Sequence, residues 1–326
     1  MFLCLVFVGL LFATSHGKPT LPSGIHPLSD EMINRINSLE TTWKAGRNFE
    51  LSQLDHVKSL LGVRRDGNKH RLPVKNIEIR NDIPDTFDAR QQWSNCSSIK
   101  LIRDQSNCGS CWAFGAVESM SDRICVASGG KTQVNISAED LVSCCDSCGY
   151  GCQGGYPSQA WQYWVDTGIV TGDLYNGGGC RPYSIKPVHH AHEIAPTPPC
   201  NQICQPSYSK PYNQDLYYGD SAYLVPSDVK AIQTEIMTHG PVEADFQVYS
   251  DFPSYKSGVY IKQSDDLLGG HAIRFIGWGT EKGVDYWYVN FSVSFYMLED
   301  EIAGKESHFF SFFCHFSQVG CQFLGL

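Results

Sequence analysis

The chain has 326 residues, a formal net charge of −9, 18% charged residues and 12% aromatic residues. This composition predicts a compact globular protein rather than a disordered one. The negative charge argues against nucleic acid as a partner, because phosphate binding needs a basic surface. The length suffices for one large domain or two.

The N-terminus is an uncharged apolar run from Phe2 to Ala13. This run is too short to span a bilayer, which takes about 20 residues, and the small residues Ser15 and Gly17 follow it. We therefore predict a signal peptide over residues 1–17, which directs the chain into the oxidising secretory pathway. A buried N-terminal strand is the alternative.

The next segment is polar, and in it Ile33, Ile36 and Leu39 recur at the spacing of one amphipathic helix. The stretch RRDGNKHRLPVKN follows. It is polar and basic, as expected of a region that proteases cleave.

Eleven of the 14 cysteines lie between Cys96 and Cys204. Cysteines in an oxidising compartment tend to pair, and an odd number leaves one thiol over. Five disulfides and one free cysteine would account for all of them.

Two of these cysteines, Cys108 and Cys111, belong to the stretch SNCGSCWAFG. A C-x-x-C pair taken alone fits a redox couple, half of a zinc site, or a structural cysteine beside a nucleophile. Cys111 opens the segment CWAFGAVESMSDRICVA, whose apolar residues recur near the helical period. A thiol at a helix N-terminus lies at the positive end of the helix dipole, which favours the nucleophilic thiolate.

The CGSCW motif at residues 108–112 resembles the sequence around the nucleophile of the papain family of cysteine peptidases. Longer stretches resemble the cathepsin B branch of that family, from about residue 26 to residue 289; they include IPDTFDARQQW, GCQGGYPSQAW, PVEADFQVYSDFPSYKSGVY and GGHAIRFIGWG. The resemblance implies a papain-like α+β fold of two lobes, one helical and one a β-barrel, with the active-site cleft between them.

Hydrolysis of a peptide bond needs a nucleophile, a proton carrier and donors for the oxyanion. By resemblance, Cys111 is the nucleophile and His271, in LLGGHAIRFIGWG, is the general acid and base. The side chain of Gln105 and the backbone N–H of Cys111 would hold the oxyanion. No cofactor is expected. A histidine buried for structural reasons is the alternative for His271.

The resemblance also implies synthesis as a zymogen, with a propeptide over residues 18–82 and a peptidase domain over residues 83–290. A simple helical extension is the alternative for the N-terminal segment. The implied disulfides pair Cys96 with Cys125, Cys108 with Cys152, Cys144 with Cys200, Cys145 with Cys148, and Cys180 with Cys204.

A loop between Cys180 and Cys200 carries His189, His190 and His192. In the cathepsin B branch such a loop caps the primed side of the cleft and its histidines receive the C-terminal carboxylate of a substrate. By resemblance His189 and His190 bind substrate, which implies dipeptidyl carboxypeptidase activity. The loop is shorter than usual and lacks an inner cysteine pair. A solvated loop without this role is the alternative. A metal site on these histidines is not expected.

The resemblance ends after Asn290. Counted without gaps from His271, the family's imidazole-orienting asparagine falls at Phe291, one residue after Asn290. A shift of one residue turns a strand side chain to the opposite face. The tail, residues 291–326, holds eight of the 17 phenylalanines and lacks the alternation of half-buried strands.

We therefore expect an incomplete barrel that the tail does not close, and the structure of the tail itself stays open. A changed reading frame or exon, a diverged end that still folds, and a hydrophobic anchor are three explanations of the tail. The alternative function is that of a catalytically impaired pseudo-peptidase or aberrant isoform, and a redox C-x-x-C protein is more remote.

The expected partners are peptide and protein substrates, the chain's own propeptide and protein inhibitors, without nucleic acid and without a membrane span. The expected location is the secretory pathway, in lysosomes or outside the cell, the gut lumen included. The sequon at Asn135 predicts a glycosylation site.

Overall fold

The computed structural model describes residues 21–64, 70–188 and 193–290, together with the backbone of residues 311–315 and 323–325. The predicted signal peptide lies outside these ranges. So do part of the basic stretch after Arg64 and the three histidines of the predicted loop, His189, His190 and His192, which we call the loop histidines. Within the described ranges, no helix is long and apolar enough to cross a membrane.

Eight α-helices occur in the described residues: α1 (Asp30–Ser38), α2 (Leu54–Ser59), α3 (Ala89–Gln92), α4 (Ser97–Lys100), α5 (Cys111–Ala127), α6 (Ala138–Cys144), α7 (Pro157–Asp166) and α8 (Val229–His239). Nine strands accompany them: β1 (Trp43–Ala45), β2 (Phe87–Asp88), β3 (Tyr223–Val225), β4 (Val242–Tyr249), β5 (Tyr255–Tyr260), β6 (Leu267–Glu281), β7 (Val284–Asn290), β8 (Ser311–His315) and β9 (Phe323–Gly325).

The helical lobe is built around α5, a helix of 17 residues that is buried on nearly all sides. Helices α6 and α7 pack against it, and the apolar core between them includes Trp112, Met120, Leu141 and Trp161. A helix that is apolar around most of its circumference needs such enclosure. Because Cys111 is the first residue of α5, the packing of this helix fixes the position of the thiol.

The second lobe is a sheet with the strand order β1-β5-β8-β7-β6-β4-β9-β3, and β2 pairs with β6 in addition. Strand β6 is 15 residues long and pairs antiparallel with β4 on one side and with β7 on the other. Strands β1 and β3 stand at the two ends of this order. The described strands therefore form an open sheet, in agreement with the expected two-lobe fold with an incomplete barrel.

The tail, whose structure the sequence left open, contributes two strands to this sheet. Strand β8 pairs antiparallel with β7 and parallel with β5, and β9 lies between β4 and β3. The tail sequence lacks the apolar–polar alternation of half-buried strands. A strand with neighbours on both edges satisfies its backbone groups without that pattern, and aromatic residues favour strands.

The N-terminal segment packs on the sheet lobe through α1, the predicted amphipathic helix. The helix begins after Ser29, whose hydroxyl accepts a hydrogen bond from the Met32 N–H at 3.1 Å. Met32 and Ile36 are buried in the core of the sheet lobe, and Ile33 and Leu39 pack against it. The apolar spacing in the sequence therefore marks the face that the sheet lobe covers.

Strand β1 anchors the same segment through Trp43. The Trp43 indole N–H donates to the Ile261 carbonyl at 2.9 Å, and its ring packs against Tyr255 and Tyr260. A buried aromatic residue of this size dominates the packing energy of a small contact surface.

Five disulfides cross-link the chain between Cys96 and Cys204. They join the pairs that the resemblance implied: Cys96–Cys125, Cys108–Cys152, Cys144–Cys200, Cys145–Cys148 and Cys180–Cys204. Among the cysteines whose side chains the structure describes, Cys111 is the free one.

Candidate active site

The two cysteines of the C-x-x-C stretch have different chemical states. Cys108 is bonded to Cys152, and the Gly109 N–H donates to the Cys152 carbonyl at 2.8 Å. Cys111, at the first position of α5, is a buried thiol. This arrangement argues against a redox couple between Cys108 and Cys111, and it fastens the turn that carries the thiol to a neighbouring segment.

The N-terminal segment crosses directly in front of this thiol. The Gly62 N–H donates to Cys111 Sγ at 3.2 Å, and the Gly62 carbonyl accepts from the Gly155 N–H at 2.9 Å. The Val63 N–H donates to the Gly270 carbonyl at 3.1 Å. Backbone from both lobes therefore holds the segment in an extended conformation across the space between them.

Gln105 is fully buried beside the thiol, with 0% of its surface exposed. Its side-chain Nε2 donates to the Leu60 carbonyl at 3.1 Å and to the Cys108 carbonyl at 2.8 Å. A backbone carbonyl of the N-terminal segment thus accepts from the amide that is predicted to hold the oxyanion.

His271 lies in β6 opposite Phe246 of β4, and 2% of its surface is exposed. Burial lowers the pKa of His271 to about 4, and a hydrogen bond with the Leu60 backbone acts in the opposite direction. Leu60 therefore interacts with both Gln105 and His271, so one residue of the N-terminal segment covers two of the predicted site residues.

The thiol is also shifted away from its ionised form. Burial raises the pKa of Cys111 to about 12, and the charges of Glu243 and Asp245 add to this shift. Hydrogen bonds from the backbones of Ala272 and Gly62 lower it in part. With the N-terminal segment in place, the neutral thiol and the neutral imidazole are favoured over a thiolate–imidazolium pair.

The sheet register places Asn290 and His271 on opposite faces. In the β6–β7 pair Asn290 lies opposite Arg274. Side chains alternate between the two faces along a strand, so Arg274, three residues after His271, points away from the His271 face. Asn290 shares the Arg274 face, and the irregularity of this pair lies between Phe275 and Gly277, beyond both residues. The register therefore contains no bulge that would bring Asn290 to the imidazole.

Sequence analysis missed a buried ionic cluster on the Arg274 face. Arg274 Nη1 donates to Asp122 Oδ2 at 2.8 Å, and Nη2 donates to the Leu101 carbonyl at 2.9 Å. Glu118 Oε2 lies 3.7 Å from Arg274 Nε. The cluster connects β6, the strand of His271, to α5, the helix of Cys111. The available signal was an arginine inside the apolar run HAIRFIGWG, because a charge in a buried strand needs a partner.

Glu243 in β4 is a second group that sequence analysis missed. The Trp161 indole N–H donates to Glu243 Oε2 at 2.6 Å, and burial raises the pKa of this carboxyl well above its usual value. The carboxyl lies against Gly115, one helical turn after Cys111. Burial therefore disfavours the charged form of this carboxyl, which is the form that raises the Cys111 pKa.

The ends of the segment that carries the loop histidines are held next to Gln105. The Ser106 hydroxyl donates to the Lys186 carbonyl at 2.6 Å, and the Asn107 side-chain amide donates to the Glu193 carbonyl at 2.8 Å. The loop histidines themselves lie outside the described residues. No cluster of potential metal ligands occurs in the part of the chain that the structure describes.

Asn135, the residue of the predicted sequon, is half-buried before α6. Its side-chain amide donates to Asp173 Oδ1 at 3.3 Å. Glycosylation at this position stays a prediction.

Comparison with known proteins agrees with this geometry. Residues 83–294 match the profile of the papain family cysteine proteases, and residues 28–67 match that of the peptidase family C1 propeptide. A cathepsin B-like cysteine proteinase of Schistosoma japonicum is 49% identical over 293 residues, which cover 85% of this chain and 86% of the relative. Cathepsin B-like cysteine proteinase 6 of Caenorhabditis elegans is 47% identical over 282 residues, which cover 80% and 74%.

Solved structures show the same relationship. The procathepsin B S9 of Trypanosoma congolense superposes with a TM-score of 0.74 at 30% identity, over 92% of this chain and 98% of that chain. The chain therefore belongs to the papain family of cysteine proteases. Within that family it is a cathepsin B-like cysteine peptidase with its propeptide, and the segment that crosses the thiol is part of that propeptide.

Proposed function

We propose that the mature protein hydrolyses peptide bonds through a thioester on Cys111. The Sγ atom attacks the scissile carbonyl carbon, and the thiol proton passes to His271. His271 then protonates the leaving amine, and water hydrolyses the thioester. The Gln105 side-chain amide and the Cys111 backbone N–H hold the oxyanion, and one such donor contributes about 3 kcal/mol. The reaction uses no cofactor.

The observation that carries this proposal is the way in which propeptide residues Leu60 and Gly62 contact the predicted site residues. The Leu60 carbonyl accepts from Gln105 Nε2 at 3.1 Å, while the Gly62 N–H contacts Cys111 Sγ at 3.2 Å. An extended backbone therefore lies with one carbonyl oxygen at the amide of Gln105 and one peptide group against the sulfur. A substrate needs the same two contacts, which supports the assigned roles.

In this proposal the propeptide over residues 18–82 is removed and the peptidase domain starts at about Ile83. Removal readmits water to Cys111 and His271, so the burial that now raises the thiol pKa and lowers the imidazole pKa is relieved. The ion pair that attacks the substrate then becomes accessible. The secretory pathway, with delivery to lysosomes or to the outside of the cell, is the location we propose.

The direct test is turnover by matured protein. We expect hydrolysis of a fluorogenic peptide by the unchanged chain and none by Cys111→Ser. Mass spectrometry of a quenched reaction should show an acyl adduct on Cys111. Turnover that survives in Cys111→Ser would contradict the proposal.

We also propose that the loop histidines add dipeptidyl carboxypeptidase activity. Ser106 and Asn107 anchor the two ends of their loop immediately before the CGSCW motif, which favours a loop beside the cleft. His189 and His190 would receive the terminal carboxylate of a substrate.

A competing proposal is an impaired peptidase. The register that turns Asn290 away from the His271 face favours it, because an imidazole without its orienting partner loses control of tautomer and direction. In a serine-protease analogue that loss costs as much as ~10⁴ in rate. The two proposals differ in turnover number and not in the identity of the nucleophile.

A further inference from the structure

A second part of the propeptide is bound at the edge of the sheet. Residues Pro73 and Lys75 flank a parallel bridge between Val74 and Leu224. The Leu224 N–H donates to the Pro73 carbonyl, and the Lys75 N–H donates to the Leu224 carbonyl, both at 2.9 Å. Strand β3, which contains Leu224, is the last strand of the sheet order, so this segment covers an otherwise open strand edge.

The Lys75 side chain makes contacts of its own, with Tyr223 of strand β3. Its ammonium lies 3.0 Å from the Tyr223 hydroxyl oxygen and 4.1 Å from the centre of the ring. The Tyr223 O–H donates to Glu235 Oε1 at 2.6 Å, and Arg123 holds the same carboxylate at 2.9 Å. Because the Tyr223 hydroxyl hydrogen is directed to Glu235, the lone pairs of the hydroxyl oxygen accept a hydrogen bond from the ligand. The site therefore favours a donor such as an ammonium group over a carboxylate, which can only accept.

Two apolar residues on either side complete the contact. Leu72 is buried in the core of the helical lobe, and Ile77 packs against the core of the sheet lobe. The side chain of Val74 between them is 52% exposed. The site thus selects an aliphatic residue, a lysine three positions later and a second aliphatic residue two positions after that.

We propose that this edge, formed by the Leu224 backbone and the Tyr223 ring, is a second peptide-binding site of the mature peptidase. Its ligand is an extended segment of a protein substrate with the Leu-x-x-Lys-x-Ile pattern, which adds to the sheet edge as residues 72–77 do. The inference rests on the proposed removal of the propeptide through about residue 82. A substrate bound at both this site and the cleft gains from a raised effective concentration, so the site lowers KM for proteins and not for short peptides.

The binding test uses a fluorescent peptide with the sequence of residues 70–82 and matured protein whose Cys111 has been alkylated. We expect saturable binding by fluorescence anisotropy. The Lys75→Ala peptide should bind about tenfold more weakly, whereas the Val74→Ala peptide, changed at an exposed position, should match the original. The proposal is overturned if alkylation of Cys111 abolishes peptide binding, or if the Lys75→Ala peptide binds as tightly as the original peptide.

The functional test uses Tyr223→Phe, which keeps the ring and removes the hydroxyl oxygen. We expect kcat/KM for a short fluorogenic peptide to be unchanged, while KM for an unfolded protein with the pattern rises several-fold. Equal effects on both substrates, or none on either, overturn the inference. N-terminal sequencing of the matured chain must also find a start after residue 77, since an earlier start leaves the site filled by the chain itself. Peptide binding by a protein without turnover would refute the proposed hydrolysis and leave this site intact.

Discussion

The backbone N–H of Gly62 points at Cys111 Sγ from 3.2 Å, so the propeptide meets the thiol through a peptide group and not through a side chain. A Cβ added at Gly62 would overlap the Gly109 carbonyl oxygen. The propeptide can therefore approach the sulfur this closely only because residue 62 is glycine.

The first prediction follows from that overlap. Gly62→Ala should lift the propeptide from the cleft and speed alkylation of Cys111 in the unprocessed protein by about tenfold or more, because a steric clash of this kind costs on the order of 1–3 kcal/mol. Mass spectrometry after timed exposure to a thiol-directed epoxide measures the rate. Leu51→Ala, at an exposed propeptide position, is the control and should react as the unchanged chain does.

The second prediction concerns pH. In the unprocessed protein, burial raises the pKa of Cys111 to about 12 and lowers that of His271 to about 4. Between these values the thiol and imidazole are both neutral, so alkylation should be slow near neutral pH and should rise about tenfold per pH unit as the thiolate fraction grows. The matured protein, with the burial relieved, should reach its plateau at a much lower pH. Matching pH profiles for the two forms would show that the propeptide does not control ionisation.

The third prediction concerns the anchor of the propeptide on the sheet lobe. Trp43→Ala removes a buried ring and its hydrogen bond to the Ile261 carbonyl, a loss of about 3–5 kcal/mol for a core tryptophan. Self-processing should accelerate, and a separately made propeptide should inhibit the matured protein at least 100-fold less well. Lys44→Ala changes the exposed position of the same strand, and inhibition by that variant should stay at the original level.

The fourth prediction concerns the loop histidines. Replacing both His189 and His190 by Ala should reduce release of C-terminal dipeptides more than cleavage of an internally quenched peptide, because only the former needs a receptor for a carboxylate. Product analysis by liquid chromatography gives both rates from one digestion. The role is excluded by an equal fall in the two rates, or by a parent protein that releases no dipeptides.

The fifth prediction concerns the orienting residue. Asn290 lies on the face away from His271, so Asn290→Ala should leave kcat within about twofold, since it removes no contact to the imidazole. Phe291→Asn, at the ungapped position of the family asparagine, should raise kcat, with ~10⁴ as the upper limit from the serine-protease analogue. A large fall in kcat for Asn290→Ala would mean that this residue reaches the imidazole after all.

A chimera with an intact family C-terminus from residue 290 onward tests the whole tail. It should exceed the natural chain in yield, thermal midpoint and turnover. If the two proteins agree in all three, β8 and β9 serve as a working replacement for the missing strands.

Local sequence patterns predicted some parts of the fold and of the candidate site. Other parts depend on contacts between residues that are distant in sequence, and these could not be predicted. The helix that starts at Cys111 follows from apolar spacing, and the two-lobe fold and the cysteine pairs followed from family resemblance. The contact of Arg274 with Asp122 joins residues 152 positions apart, and no periodicity encodes it. The sequence left the structure of the tail open for the same reason, because the partner strands β5, β7, β4 and β3 are distant in sequence and satisfy the backbone regardless of side-chain alternation.

The five disulfides are unevenly distributed along the chain. Every one of them closes between Cys96 and Cys204, whereas the strand of His271 comes after the last of these cysteines. The part of the site that contains Cys111 is thus cross-linked by disulfides. In the described residues, the part that contains His271 is held by hydrogen bonds and packing alone. We therefore expect heating to loosen the strand of His271 before the disulfide-linked segment that holds Cys111.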